Sequence, residues 1–194
     1  MHDSGARGEA VRRPSPSALW LVALKGAPGS GKSALGRALG RQLGWPLIDK
    51  DDVKDPLDGH TPEAGGLAYE IMFNVVRRQL LQGLSVICDS PLAYRRAYEH
   101  AMEIADETSA SLAIIECCCP DETIWRERIK ARKALHLPAH HTTDWDAVQS
   151  YRRRTADEAH YPIMHPYLVV NTLRPIPELC AQAVAWLERQ SPSS

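Results

Sequence analysis

Short apolar runs and amphipathic stretches alternate along this chain. Five runs have the length and apolar character of strands: residues 19–25, 46–49, 84–89, 112–118 and 167–171. Between them, apolar residues recur at helical spacing. Leu35, Leu39 and Leu43 form one stripe, and Tyr69, Met72, Phe73, Val76 and Leu80 form the longest. Tyr94, Tyr98, Ala101 and Ala105 form another, and Ile176, Leu179, Ala183 and Leu187 the last. Strands alternating with helices predict a parallel sheet with crossover helices, because parallel neighbours need a long connection back to the same end. Residues 56–66 read as a loop-rich stretch. Residues 134–143, with a proline and three histidines, read as a loop between two helices, where Thr143 with Asp146 can cap the second. No internal repeat and no second domain is expected.

Composition narrows this picture only a little. At 194 residues the chain can build one sheet covered on both faces. A formal charge of −1 gives no general attraction to nucleic acid or to an anionic membrane. No apolar stretch reaches the length of a membrane-spanning helix. Residues 1–18 are rich in Ser, Pro, Arg and Gly without apolar periodicity, so they are expected to form a flexible tail ahead of a domain over 19–190. The five cysteines are odd in number and include no C-x-x-C pair, and three are consecutive (Cys117, Cys118, Cys119). Adjacent strand residues point to opposite faces, so the trio suits neither a disulfide nor a metal cage, and a reducing, cytoplasmic location is expected.

Candidate chemistry begins directly after the first apolar run, at Gly26-Ala27-Pro28-Gly29-Ser30-Gly31-Lys32-Ser33. This octet matches G-x-x-x-x-G-K-[ST] in full and is followed by a helical pattern, which is the context a phosphate-binding loop requires. Glycines let successive backbone N–H groups converge on one phosphate chain, and the helix beginning near Gly31 aims its positive end at the same anion. Lys32 adds a cation for the terminal phosphates, and Ser33 offers a hydroxyl to Mg²⁺. A nucleoside triphosphate is the expected ligand.

Carboxylates stand where they can complete such a site. Asp49 and Asp51 leave the second strand and Asp89 ends the third, and ligands of open parallel sheets bind outside the strands' carboxyl ends. A carboxylate there can hold Mg²⁺ or accept a proton from an attacking hydroxyl; Asp89 is the candidate metal ligand together with Ser33. The alternative is helix capping, by Asp51 or Asp52 for a short segment over 52–55 and by Asp89 for a helix starting near Leu92. Arg128 and Arg132, four apart, share a helix face and can reach one anion, unless they pair with Glu122 or Glu127. Arg126, Lys130 and Lys133 fall on another face. In Arg152-Arg153-Arg154 at most one or two side chains can face a common site. His136, His140 and His141 match no zinc template.

These residues together resemble the P-loop kinase group that includes zeta toxins, chloramphenicol phosphotransferase, gluconate kinase and polynucleotide 5′-kinase domains, with small AAA-domain kinases nearest in organisation. The second-strand signature of that group appears as Asp49-Lys50-Asp51-Asp52-Val53-Lys54, which aligns Asp51 with the general base and puts Lys54 in place of an arginine. Asp49 stands where a serine is common. Arg128 and Arg132 match the lid signature. The resemblance implies an α/β P-loop NTPase fold, a three-layer α/β/α sandwich whose five-stranded parallel sheet runs in the order 2-3-1-4-5, with a lid over about 126–145. It also implies an adenine site near Asn171-Thr172, where Val170-Asn171-Thr172 replaces a more usual Val-Asp-Thr.

The expected activity is an ATP-dependent transfer of the γ-phosphoryl group to a hydroxyl of a small-molecule or nucleotide-type acceptor. ATP and Mg²⁺ would be bound, and Lys32, Asp51 or Asp49, Arg128 and Arg132 would be catalytic. Lys54, Tyr69, Arg77 and Arg95 are candidate acceptor contacts. An NTPase or switch without an acceptor is the alternative, although neither N-K-x-D nor an ABC signature is present. A nucleic-acid acceptor stays open, with little support from charge or aromatic content.

Overall fold

The computed structural model describes residues 19–134 and 144–190. The expected tail, Thr143 and the three histidines of the 134–143 loop lie outside them. Five parallel strands form one sheet: β1 (Trp20–Lys25), β2 (Leu47–Asp49), β3 (Val86–Asp89), β4 (Ser111–Cys118) and β5 (Tyr167–Asn171). Their order is β2-β3-β1-β4-β5, as expected. The connecting helices are α1 (Lys32–Leu43), α2 (Lys50–Leu57), α3 (Ala64–Leu81), α4 (Arg95–Thr108), α5 (Glu122–Ala134), α6 (Trp145–Thr155) and α7 (Ile176–Gln190).

The central strand explains the layers. Every residue of β1 is buried, so it has no solvated face and reads as a continuous apolar run. Alternate side chains serve opposite cores. Trp20, Val22 and Leu24 pack with the Leu35-Leu39-Leu43 stripe of α1 and with Leu179, Ala183 and Leu187 of α7. Leu21 and Ala23 pack with Met72, Phe73, Val76 and Leu80 of α3 and with Tyr98, Ala101 and Ala105 of α4. Edge strand β5 is different: Tyr167 and Val169 are exposed on the α3/α4 side, while Val170 is buried.

Three local expectations need correction. β3 begins at Val86, after Gly83 takes a φ of 77°, and Ser85 Oγ accepts a hydrogen bond from Trp20 N–H. Helix α2 runs on through Pro56 to Leu57, and Ala64–Gly66 already belong to α3, so the expected 56–66 loop shrinks to residues 58–63. Tyr94 is exposed and caps α4 instead of joining its buried stripe, a place taken by Ile104. Among the described residues no helix is long and apolar enough to cross a membrane.

Candidate functional site

The phosphate loop follows from its glycines. Gly26, Gly29 and Gly31 have φ values of 139°, 79° and 100°, a region that side chains disfavour. Gly26 is further constrained: a Cβ there would lie 2.5 Å from the Cys117 carbonyl oxygen. That oxygen belongs to the sheet backbone and cannot move aside. Gly26→Ala is therefore expected to destabilise the protein by about 2–3 kcal/mol, read as a lower urea midpoint at unchanged m-value. Ala27 O accepts from Ser30 N–H at 3.1 Å and from Lys32 Nζ at 3.2 Å, which folds the loop over its own lysine. Lys32 is 8% exposed. No side chain caps α1 at Gly31, so the N–H groups of its first turn are left for an anion.

The loop forms one wall of a cleft of about 820 Å³ at the carboxyl ends of the strands. Gly29, Gly31, Lys32 and Ser33 line it together with Asp49, Asp51 and Asp89. Register explains the acids: Asp49 of β2 and Asp89 of β3 are Cα partners across the parallel pair. Burial, and next the facing Asp89 carboxylate, push the Asp49 carboxyl up to about 7, against a smaller opposing effect of the Asp51 N–H bond. Asp49 caps α2 by accepting that N–H at 2.9 Å, so capping falls to Asp49 and not to Asp51 or Asp52. Asp51 has Lys50 Nζ at 2.8 Å. Asp89 is 2% exposed, and its Oδ2 has no hydrogen-bond partner among the described residues. Its alternative role as a cap is not met, because α4 starts six residues later at Arg95 and Tyr94 occupies the cap position.

A raised Asp49 pKa has a consequence for stability. The folded chain holds this proton more tightly than the unfolded chain does. The associated stability is complete below the ordinary carboxylate range near 4 and is lost as pH rises through about 7. Asp49→Asn retains the capping oxygen but cannot ionise. Without ligand, its melting temperature is expected to exceed that of wild type by a margin that grows by roughly 3–6 °C between pH 5 and pH 8.5. An equal margin at both pH values would show that Asp49 titrates normally.

Helix α5 closes the cleft from above the loop. Trp125 Nε1 donates to Pro28 O at 2.9 Å, and a Cβ on Gly29 would meet Trp125 and Ile129 within 3 Å, so loop and helix are in direct contact. Arg128 pairs with neither Glu122 nor Glu127. It donates to Thr172 O at 2.6 Å and to Thr172 Oγ1 at 3.1 Å. Thr172 Oγ1 in turn lies 2.7 Å from Ser30 O, which joins loop, lid helix and the end of β5. Arg132 also lines the cleft, where burial lowers its pKa and the Asp51 and Asp89 charges oppose that effect. Arg126 pairs with Glu122 and Lys133 with Asp144, both on the exposed side.

The remaining candidates divide. Lys54 lines the cleft and pairs with Asp58. Tyr69 lies behind the lining, with Lys50 Nζ 5.6 Å from its ring centroid. Arg77 is bound to Glu107 and Asn74, and Arg95 to Glu99, and neither lines the cleft. Asn171 Oδ1 accepts from Leu173 N–H, and its neighbour Thr172 lines the cleft instead. Alternation along β5 decides this, since Asn171 continues the exposed face of Tyr167 and Val169.

Residues not singled out beforehand also line the cleft: Arg37, Ser90, Tyr151, Arg154 and Arg174. Ala147, Val148, Tyr151 and Arg154 lie at helical spacing, so one face of α6 meets the cleft. In the sequence, three consecutive arginines hide which of them shares that stripe. The Tyr151 hydroxyl is buried without a partner among the described residues. Eight lining side chains are cationic (Lys32, Arg37, Lys50, Lys54, Arg128, Arg132, Arg154, Arg174) against three acidic. The near-neutral chain thus concentrates positive charge where a polyanion would bind. Among the described residues no group of three or more His, Cys, Asp or Glu side chains is placed to hold a metal by protein ligands alone.

Comparison with known proteins agrees with this geometry. The AAA domain family matches residues 21–155. A candidate kinase from Chloroflexus aurantiacus superposes with a TM-score of 0.69 at 19% identity, over 87% of this chain and 98% of its own. A gluconokinase from Sinorhizobium meliloti gives 0.62 at 21% identity, over 92% and 95%. The APS kinase of Mycobacterium tuberculosis, solved with AMPPNP and APS, gives 0.62 at 17%, over 88% and 98%. At these identities the likeness is one of fold, and no curated protein matches by sequence. With its complete phosphate loop, its 2-3-1-4-5 sheet and a match over most of its length, the chain belongs to the AAA domain family and has the P-loop kinase fold.

Proposed function

We propose that this protein transfers the γ-phosphoryl group of MgATP to a hydroxyl of a small-molecule or nucleotide-type acceptor. One observation carries the reading: Lys32 and Ser33 of the phosphate loop, the Asp49–Asp89 pair and Arg132 all line the same cleft. Loop amides and Lys32 would hold the triphosphate. Mg²⁺ suits the residues present, because Asp89 Oδ2 is a hard, buried, unpartnered oxygen lining the cleft with the Ser33 hydroxyl, and Mg²⁺ takes few protein ligands beside phosphates. When bound, the ion would neutralise charge on the phosphate oxygens.

Asp49 is the base we favour over Asp51. Its pKa of about 7 leaves it able to take a proton at neutral pH, whereas Asp51 is engaged by Lys50. The acceptor O–H proton passes to Asp49 as its oxygen bonds to the γ-phosphorus and the bond to the β–γ bridging oxygen breaks. ADP leaves with the electrons of that bond. Arg132 neutralises the migrating group, and Arg128, held by Thr172, serves the nucleotide side.

Residues 19–190 form the kinase-like unit in this reading, and α5 and α6 supply the described parts of a lid whose residues 135–143 lie outside the described residues. The five free thiols fit a reducing compartment, and on that ground we place the protein in the cytoplasm. The test is ADP release across a panel of sugars, nucleosides, nucleotides, hydroxylated antibiotics and oligonucleotides. One class is expected to raise turnover at least tenfold over slow background hydrolysis. Rapid hydrolysis indifferent to every compound would instead mark an NTPase.

A further inference from the structure

A second cavity, of about 810 Å³, opens on the other side of α6. It shares Pro91 and Tyr151 with the first as walls and touches the phosphate loop from outside at Gly26 and Ala27. Its floor is Lys25, the last residue of β1, and Glu116 of β4, which face each other across the sheet. Lys25 is only 7% exposed, its Nζ is 3.3 Å from the Glu116 carboxylate, and the Tyr167 hydroxyl also donates to that carboxylate. A largely buried ion pair contributes little to stability, because desolvation offsets its attraction. Here it sits at the carboxyl ends of strands, where sheets of this kind take ligands.

The walls are aromatic and the rim is cationic. Tyr161 and Tyr167 line the cavity, and Lys25 Nζ stands 5.7 Å from the Tyr161 ring centroid. Tyr167 is 41% exposed. Arg152 and Arg153 stand at the rim, and among the described residues neither makes an ion pair: Arg152 lies over the Trp125 ring, and Arg153 bonds only the Ser150 hydroxyl. Their charge is available to a ligand.

We propose that this cavity is a second binding site, for a small anion bearing a planar ring. The ring lies against Tyr161 and Tyr167, its polar edge meets the Lys25–Glu116 pair, and its phosphate or carboxylate is held by Arg152 and Arg153. The phosphotransfer reading is not needed for this site, which uses none of the groups assigned to that reaction.

Calorimetry on the full chain tests it, with and without saturating MgAMPPNP to fill the first cleft. The probes are guanosine 5′-monophosphate, 1-naphthyl phosphate and 2-naphthoate, with guanosine and ribose 5-phosphate as single-feature controls. At least one ring-bearing anion is expected to bind about tenfold more tightly than either control and to keep its affinity when MgAMPPNP is present. Arg153→Glu, an exposed and structurally mild change, is expected to weaken that probe about tenfold and leave MgAMPPNP binding unchanged. Tyr167→Leu should weaken it as well. No binding by any of the three probes at millimolar concentration overturns the proposal. So does competition with MgAMPPNP, or binding indifferent to both variants.

Discussion

Lys32→Ala is expected to lower phosphoryl transfer by about 10³-fold or more, the scale of removing a central electrostatic contact to a migrating phosphoryl group. Lys32 is 8% exposed, and its Nζ contacts Ala27 O within the loop, so its charge is held at the phosphate wall of the cleft. The two lid-helix arginines do not duplicate it: Arg132 approaches from the opposite helix and Arg128 is tied to Thr172. The fold should survive, because Leu35, Leu39 and Leu43, not Lys32, anchor α1 to the sheet. Single-turnover transfer from γ-labelled ATP, together with a melting curve, is the measurement. Retained transfer in a folded variant would remove the loop lysine from the reaction.

Asp49→Asn should lower kcat by about 10²–10⁴-fold while changing MgAMPPNP affinity less than about threefold. The substitution preserves the cap on α2, since an amide oxygen can still accept the Asp51 N–H. The basic oxygen is lost, and with it the repulsion from Asp89 that helps raise the Asp49 pKa. The wild-type rate should climb with pH as Asp49 ionises, and the variant should lose that limb. Asp51→Asn is expected to cost much less, because its carboxylate already pairs with Lys50. The reverse ranking of the two variants would return the base to Asp51.

Those two acids show where reading the chain stops. Alignment to the kinase signature favours Asp51, two residues past the end of β2. Folding pairs Asp49 with Asp89, forty positions away, through the β2–β3 register, and burial with that pairing changes Asp49 chemically. No local pattern contains that information. The arginines behave similarly. Arg128 and Arg132 were legible as a pair four apart, yet their different partners follow from where β5 ends. Arg77 and Arg95 looked available in one dimension, but Glu107 and Glu99 hold them at the surface away from the cleft.

The amino-acid order alone determined the phosphate loop, the alternation of strands and helices, and the stripes that became the two cores. Each of these is written in residues within one or two turns of each other, where glycine dihedrals and side-chain periodicity act directly. Only the tertiary structure decided which carboxylates meet, which face of α6 reaches the cleft, that Thr172 and not Asn171 lines it, and that a second cavity lies under Arg152 and Arg153. Those outcomes depend on strand register and on packing between distant segments, so the electrostatics of the site exist only once the sheet has been assembled.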